Sequence, residues 1–226
     1  MTAAPLAEEF SEGPSIRGFL HQPAQRSGDG LILTHGAGSN CQSPLLAALA
    51  TAFAEAGFTV LRCDLPFRQA RPKGPPLGAS ALDREGLKRA VAALRKLVPG
   101  RIFLGGHSYG GRQASMLAAA ERDLAAALLL LAYPLHPPKR PTELRTAHFP
   151  NLRTSALFVH GTRDPFGSIE ELRAAVKLIP ASTDLVSMEG AGHELAPGRA
   201  GEIVAAFRRF VAASATSGIL PRSARE

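Results

Sequence analysis

The 226-residue sequence predicts an α/β fold: a mostly parallel central sheet of about six or seven strands, with helices on both faces and a minimal cap. Three observations point there. Short apolar runs alternate with stretches of helical period along most of the chain. Several of those runs, such as GLILT at Gly30 to Thr34, are apolar without interruption, as strands buried on both faces are. No internal repeat or linker divides the sequence, so a single domain over residues 1–226 is expected, with its core at about 15–213 and loose termini.

The elements follow in order. Ser15 to Leu20 alternates enough for an early edge strand, and Gly30 to Thr34 is the first buried one. Ser43 to Ala56 places Leu45, Leu46, Leu49, Ala50 and Phe53 at helical spacing, with Ser43 as N-cap and Gly57 at the C-cap. Phe58 to Cys63 is the next strand. Phe67 to Ala79, rich in Pro, Gly, Arg and Lys, predicts a loop, and Asp83 to Leu97 a helix with Leu87, Val91, Leu94 and Leu97 on one face. Arg101 to Leu104 is a strand and Tyr109 to Glu121 a helix. Ala125 to Ala132 is a buried strand, and five prolines keep Tyr133 to Arg153 irregular. Thr154 to His160, Ser168 to Ile179, Thr183 to Met188 and Gly198 to Ala213 read as strand, helix, strand and helix, with a loose stretch from Thr216. Strands alternating with helices imply right-handed crossovers.

Composition narrows the function classes. A hydrophobic fraction of 45% with 20% charged residues is that of a globular chain. The longest apolar stretch, Leu124 to Tyr133, is too short to span a bilayer. Met1 to Phe10 carries Glu8 and Glu9 without a basic region and apolar core, so no secretory signal is read and a cytoplasmic location is expected. The net charge of +7 raises nucleic acid as a partner. The basic residues are scattered from Arg17 through Arg101 to Arg225, and with no Trp and two Tyr there is no stacking platform. Neither nucleic acid nor membrane is an expected partner, and the sequence leaves oligomeric state open. Cys41 and Cys63 lack metal or C-x-x-C spacing and read as small buried hydrophobes. His35, His107, His160 and His193 show no zinc spacing either, so no metal and no cofactor is expected.

The chemistry centres on Gly106-His107-Ser108-Tyr109-Gly110, a G-x-S-x-G pattern between a strand and a helix. Such a turn is a nucleophile elbow, which lifts a serine hydroxyl above the sheet edge. An elbow serine needs a base, and the base an orienting acid, in the chain order Ser, Asp or Glu, His. Asp164 follows the strand ending at His160, and His193 lies in the glycine-rich loop after the strand ending at Met188. Alone, each has a plain reading: a turn former for Asp164 and an exposed polar residue for His193. Their order and common sheet edge make Ser108, Asp164 and His193 the candidate triad. Oxyanion donors are expected from the backbone N–H of Tyr109 and of Ala37, with Gly38 second. Gly38 and Phe166 are the candidate substrate-binding residues. His35 reads as a structural brace, and Asp64, which precedes the serine, as a loop-bracing or substrate-side residue.

With HGAG at 35–38, GHSYG at 106–110, GTRDPFG at 161–167 and GAGHEL at 190–195, the chain resembles the α/β-hydrolases from about Ser15 to Ala213. The resemblance implies Ser108 as nucleophile, His193 as general base then acid, and Asp164 as its orienting carboxylate. YPLHPP at 133–138 and the double glycine at 110–111 make the chain similar to a small branch with testis-expressed and chromatin-complex members. It is also similar to dienelactone-hydrolase-like enzymes, which use a cysteine nucleophile where this chain has Ser108, a departure that points away from lactone-specific chemistry. Only the Pro-rich segment Leu135–Arg153 stands where larger relatives carry a helical lid. Its Lys139, Arg140, Arg145, His136 and His148 read as solvated surface, with an anionic acyl group as the other reading.

The function read from these residues is a serine hydrolase that cleaves a small-molecule acyl ester or thioester through an acyl-enzyme. The alternatives are a catalytically idle fold serving as a binding scaffold, and a short-peptide hydrolase. The distance between Ser108 and His193 discriminates the first pair.

Overall fold

In the computed structural model, residues 6–13, 16–77, 80–137 and 139–217 are described. They form an eight-stranded sheet with strands β1 (Leu6–Glu12), β2 (Ile16–Gln22), β3 (Gly30–Thr34), β4 (Thr59–Cys63), β5 (Ile102–His107), β6 (Ala127–Leu131), β7 (Ala156–Gly161) and β8 (Thr183–Met188). Their spatial order is β1-β2-β4-β3-β5-β6-β7-β8. β1 and β2 run antiparallel, β2 meets β4 antiparallel, and every pairing from β4 to β8 is parallel. The helices are α1 (Pro44–Glu55), α2 (Pro66–Ala70), α3 (Ser80–Arg95), α4 (Tyr109–Ala120), α5 (Ile169–Val176) and α6 (Ala200–Ser217).

The period-two geometry of a strand divides each apolar run between two cores. Ile32, Leu104, Leu128 and Leu130 pack with α3, α4 and α5 residues such as Leu87, Leu94, Leu117 and Leu172. Their neighbours Leu31, Leu33, Phe103, Leu129 and Leu131 face the other way, onto α1 and α6 through Leu46, Leu49, Phe53, Ile203 and Phe207. This is why the runs carry no polar alternation. Ser43 caps α1 as expected, its hydroxyl accepting from the Leu46 N–H at 3.3 Å.

The sheet has one strand more than expected. β1 reads LAEEFSE, with three glutamates on an edge strand that faces solvent, so its sequence carries little apolar signal. α2 overlaps the start of the segment expected to be a loop; it is one short turn begun by Pro66, too brief to show a period. The expected loose stretch divides: residues 216–217 continue α6, and 218–226 lie outside the described residues, as do 1–5. Among the described residues no helix is long and apolar enough to cross a membrane.

Where β2 meets β4, the buried Arg62 donates through Nε to His21 Nε2 at 2.9 Å and through Nη1 to the Cys41 carbonyl at 2.6 Å. Burial, with Arg62 beside it, lowers the His21 pKa from 6.5 to about 4. The unfolded chain therefore binds this proton at a higher pH than the folded one. The stabilisation is complete above pH 6.5 and is lost as pH falls toward 4, on the order of 3 kcal/mol across that window. Melting temperature should accordingly fall between pH 7 and pH 4.5, and fall less steeply in His21→Gln; an equal slope in both proteins would contradict this account.

Candidate active site

β5 ends at His107 and α4 begins at Tyr109, leaving Ser108 alone to make the turn, at φ 51 and ψ −116. A non-glycine residue pays about 1–3 kcal/mol for such a conformation. Two hydrogen bonds hold it: the Ser108 N–H donates to the Leu131 carbonyl at 2.8 Å, and the Arg112 N–H to the Ser108 carbonyl at 3.0 Å. The flanking glycines are required by close approach. A Cβ on Gly106 would lie 2.8 Å from Gly111 N, and one on Gly110 would lie 2.6 Å from the His35 carbonyl.

Ser108, Asp164 and His193 emerge at the carboxyl ends of β5, β7 and β8, where groups in open α/β sheets converge. His193 Nε2 stands 2.8 Å from Ser108 Oγ, and His193 Nδ1 2.8 Å from Asp164 Oδ2. Asp164 accepts only, so the bond to it places the His193 proton on Nδ1 and leaves Nε2 to accept from the serine hydroxyl. The other Asp164 oxygen accepts from the Phe166 N–H at 2.9 Å, fixing the carboxylate plane. The Asp164 side chain is wholly buried and that of His193 is 16% exposed, so the chain of bonds opens to solvent at the serine end.

Four further residues brace this arrangement. His107, the variable residue of the elbow motif, is buried and donates from Nε2 to the His193 carbonyl at 2.9 Å, tying the histidine loop to the elbow. Burial holds its pKa below the usual histidine value, so it stays neutral. His160 donates from Nε2 to the Gly167 carbonyl at 2.8 Å, closing the Asp164 loop. His35 accepts the Leu65 N–H at 3.1 Å on Nε2 and donates from Nδ1 to the Gly36 carbonyl at 2.9 Å; it is the structural brace expected. Asp64 is also a loop brace, accepting the Cys41 N–H at 2.7 Å.

The HGAG loop lies against the serine. A Cβ on Gly36 would meet Ser108 Cβ at 3.5 Å, which places Gly36, a residue not singled out from sequence, beside the elbow. Arg68, on α2, holds the loop from behind. Its guanidinium donates to the carbonyls of Ser39 at 2.7 Å, Ala37 at 2.8 Å, Gly74 at 3.0 Å and Arg71 at 3.1 Å. With the Ala37 carbonyl turned to Arg68, the N–H of the same peptide plane, that of Gly38, lies on its opposite side. The Tyr109 N–H, in the first turn of α4, has no intrahelical acceptor. The Tyr109 ring packs on Phe67 at 5.6 Å, and its hydroxyl donates to Asp83 Oδ2 at 2.7 Å. Burial pushes that phenol well above its ordinary pKa.

Phe166 sits with its ring centroid 4.3 Å from that of His193. Gly38 is exposed, with open space where a Cβ would point. The surface reading of the Pro-rich segment needs correction. Lys139 and Arg140 are exposed, the latter paired with Glu143 at 3.3 Å. His136 is buried, and Arg145 and His148 are half-buried, because Phe149 of this segment and Tyr133 just before it pack under it against Phe158. Among the described residues, no group of three or more His, Cys, Asp or Glu side chains is placed to hold a metal ion.

A family model described as an alpha/beta hydrolase domain matches residues 27–215. Among solved structures, the chain is similar to Est1E from Butyrivibrio proteoclasticus, at 20% identity and a TM-score of 0.72, covering 93% of this chain and 100% of that one. It is similar to a dienelactone hydrolase from Anabaena variabilis, at 21% identity and a TM-score of 0.73, covering 93% and 99%. A serine hydrolase without a lid from Xanthomonas campestris matches over 99% of both chains, at 17% identity and a TM-score of 0.66. At these identities the likeness is one of fold.

Proposed function

The chain belongs to the alpha/beta hydrolase domain family, and we propose that within it the protein is a serine hydrolase cleaving a small ester or thioester through an acyl-enzyme. The observation that carries this reading is the continuous hydrogen-bonded series Asp164, His193, Ser108, with 2.8 Å at each link. A scaffold would not require these three groups to be within hydrogen-bond reach, so the distance favours the enzyme over the binding-scaffold alternative.

In the proposed reaction Ser108 Oγ attacks the acyl carbon while its proton passes to His193 Nε2. The imidazolium that forms is stabilised by Asp164, which already accepts the Nδ1 proton. The N–H groups of Tyr109 and Ala37 receive the oxyanion of the tetrahedral intermediate. Collapse of the intermediate breaks the bond to the alcohol or thiol, which takes the proton from His193. Water, deprotonated by the same Nε2, then attacks the acyl-serine and releases the acid. Gly38 and Phe166 border the place where the acyl group would lie. The reaction as proposed needs no cofactor.

A fluorophosphonate probe should label the protein at Ser108, and Ser108→Ala should lose both that label and hydrolysis of chromogenic esters. Labelling that persists at another residue would overturn the assignment.

A further inference from the structure

Beside the elbow lies a group of cations that the proposed reaction does not use. Arg112 is one helical turn beyond Ser108 on α4, and its own N–H donates to the Ser108 carbonyl at 3.0 Å. Helical side chains lean toward the N-terminus, so this guanidinium is carried back along the elbow end of α4. It reaches the Tyr133 hydroxyl, which itself donates to the Arg145 carbonyl at 2.7 Å. From the packed neighbour α3, Arg84 donates through Nη1 to Gln113 Oε1 and to Ser80 Oγ, both at 3.0 Å. His148 completes the group, its Nε2 2.8 Å from Ser115 Oγ.

The charge here is only partly offset from within, by Glu143 acting on Arg145 from beyond ion-pair distance. Arg101, Arg140 and Arg199 each have a carboxylate partner, yet among the described residues none lies within salt-bridge distance of Arg84, Arg112 or Arg145. The carboxylate of Asp83 accepts from the Phe67 N–H on one oxygen and from the Tyr109 hydroxyl on the other. Glu143 is paired with Arg140. Arg112 and Arg84 both hold down the His148 pKa, which burial lowers to about 4, and Arg112 acts likewise on Arg145. Two buried donors in the group, Arg112 Nε and Gln113 Nε2, have no acceptor. Like charges gathered around unbonded donors are costly by themselves. An oxyanion supplies both the opposite charge and the acceptors, and guanidinium forks bind carboxylate and phosphate in two-point fashion.

We propose that Arg84, Arg112 and Arg145 form an anion-binding subsite next to Ser108, which selects esters or thioesters carrying a carboxylate or phosphate group. The selectivity part of this rests on the serine-hydrolase reading; the binding part does not.

Binding is tested first in Ser108→Ala, which has no turnover, by calorimetric titration with glutarate and, separately, with inorganic phosphate. Saturable binding of either, weakened about tenfold by Arg112→Gln or Arg84→Gln and untouched by Arg140→Gln, is the expected result, and the tighter anion names the substrate group. No saturable binding of either, or binding indifferent to both cluster substitutions, would overturn the subsite. In the active protein, kcat/KM for p-nitrophenyl hemiglutarate should exceed that for p-nitrophenyl pentanoate about tenfold. Arg112→Gln and Arg145→Gln should bring that ratio toward one, chiefly through KM of the charged ester. A ratio of one or below in the unaltered protein would overturn the selectivity. If neither ester is cleaved and no probe labels Ser108, the serine-hydrolase reading fails, while the titrations still decide the anion site.

Discussion

His193→Ala is expected to lower kcat for a chromogenic ester on the order of 10⁴- to 10⁶-fold, with fluorophosphonate labelling slowed in step. The size follows from how the groups are coupled. Without an imidazole 2.8 Å from Ser108 Oγ, nothing takes the hydroxyl proton as the bond to carbon forms. His193 is part-exposed and touches the core through its backbone tie to His107, so the fold should survive the change. Asp164→Asn tests the same relay more finely. An asparagine amide nitrogen facing Nδ1 would favour the tautomer with the proton on Nε2, which cannot accept from the serine; a loss of about 10⁴-fold is expected from that alone. Matched rates for the parent and His193→Ala would remove His193 from the mechanism, and matched rates for the parent and Asp164→Asn would remove the tautomer control by Asp164.

The second large effect is on the fold. Gly110→Ala should lower stability by about 3 kcal/mol, at the upper end of what overpacking costs, and take activity with it. The added Cβ would stand 2.6 Å from the His35 carbonyl oxygen and 3.0 Å from the Thr34 carbonyl carbon. Both are backbone atoms of the strand and loop that border the serine, so relief requires α4 and β3 to separate. A thermal melt of the variant decides the point. Gly38→Ala serves as its comparison, since open space surrounds that position and little change in melting temperature is expected there.

The parallel part of the sheet was legible because burial on both faces favours unbroken apolar runs, which β3 and β6 supply throughout and β5 and β7 over their first residues. The three candidate residues were legible for a topological reason: each follows a strand, and parallel strands end at one edge. What escaped did so through chemistry that leaves no period. β1 is polar on an edge and α2 is one turn long. His107 occupies the variable position of its motif, so the pattern is silent about it. Arg68 and Arg112 act through long side chains whose partners are far in sequence or set by packing. The segment 135–153 was judged by its charges, and buried Phe149, packed on Tyr133 just before the segment, leaves three of its five charged or imidazole groups buried or half-buried.

The Arg68 clamp bears on how the site meets its substrate. Four carbonyls from two stretches of chain, 37–39 and 71–74, point at one guanidinium, so closing the loop beside Ser108 around a ligand would break two of these bonds. In the proposed reaction, amides held this way would meet a developing oxyanion with little reorientation. A site of that kind discriminates as a rigid template, by whether a substrate fits, and its rate should depend little on loop motion.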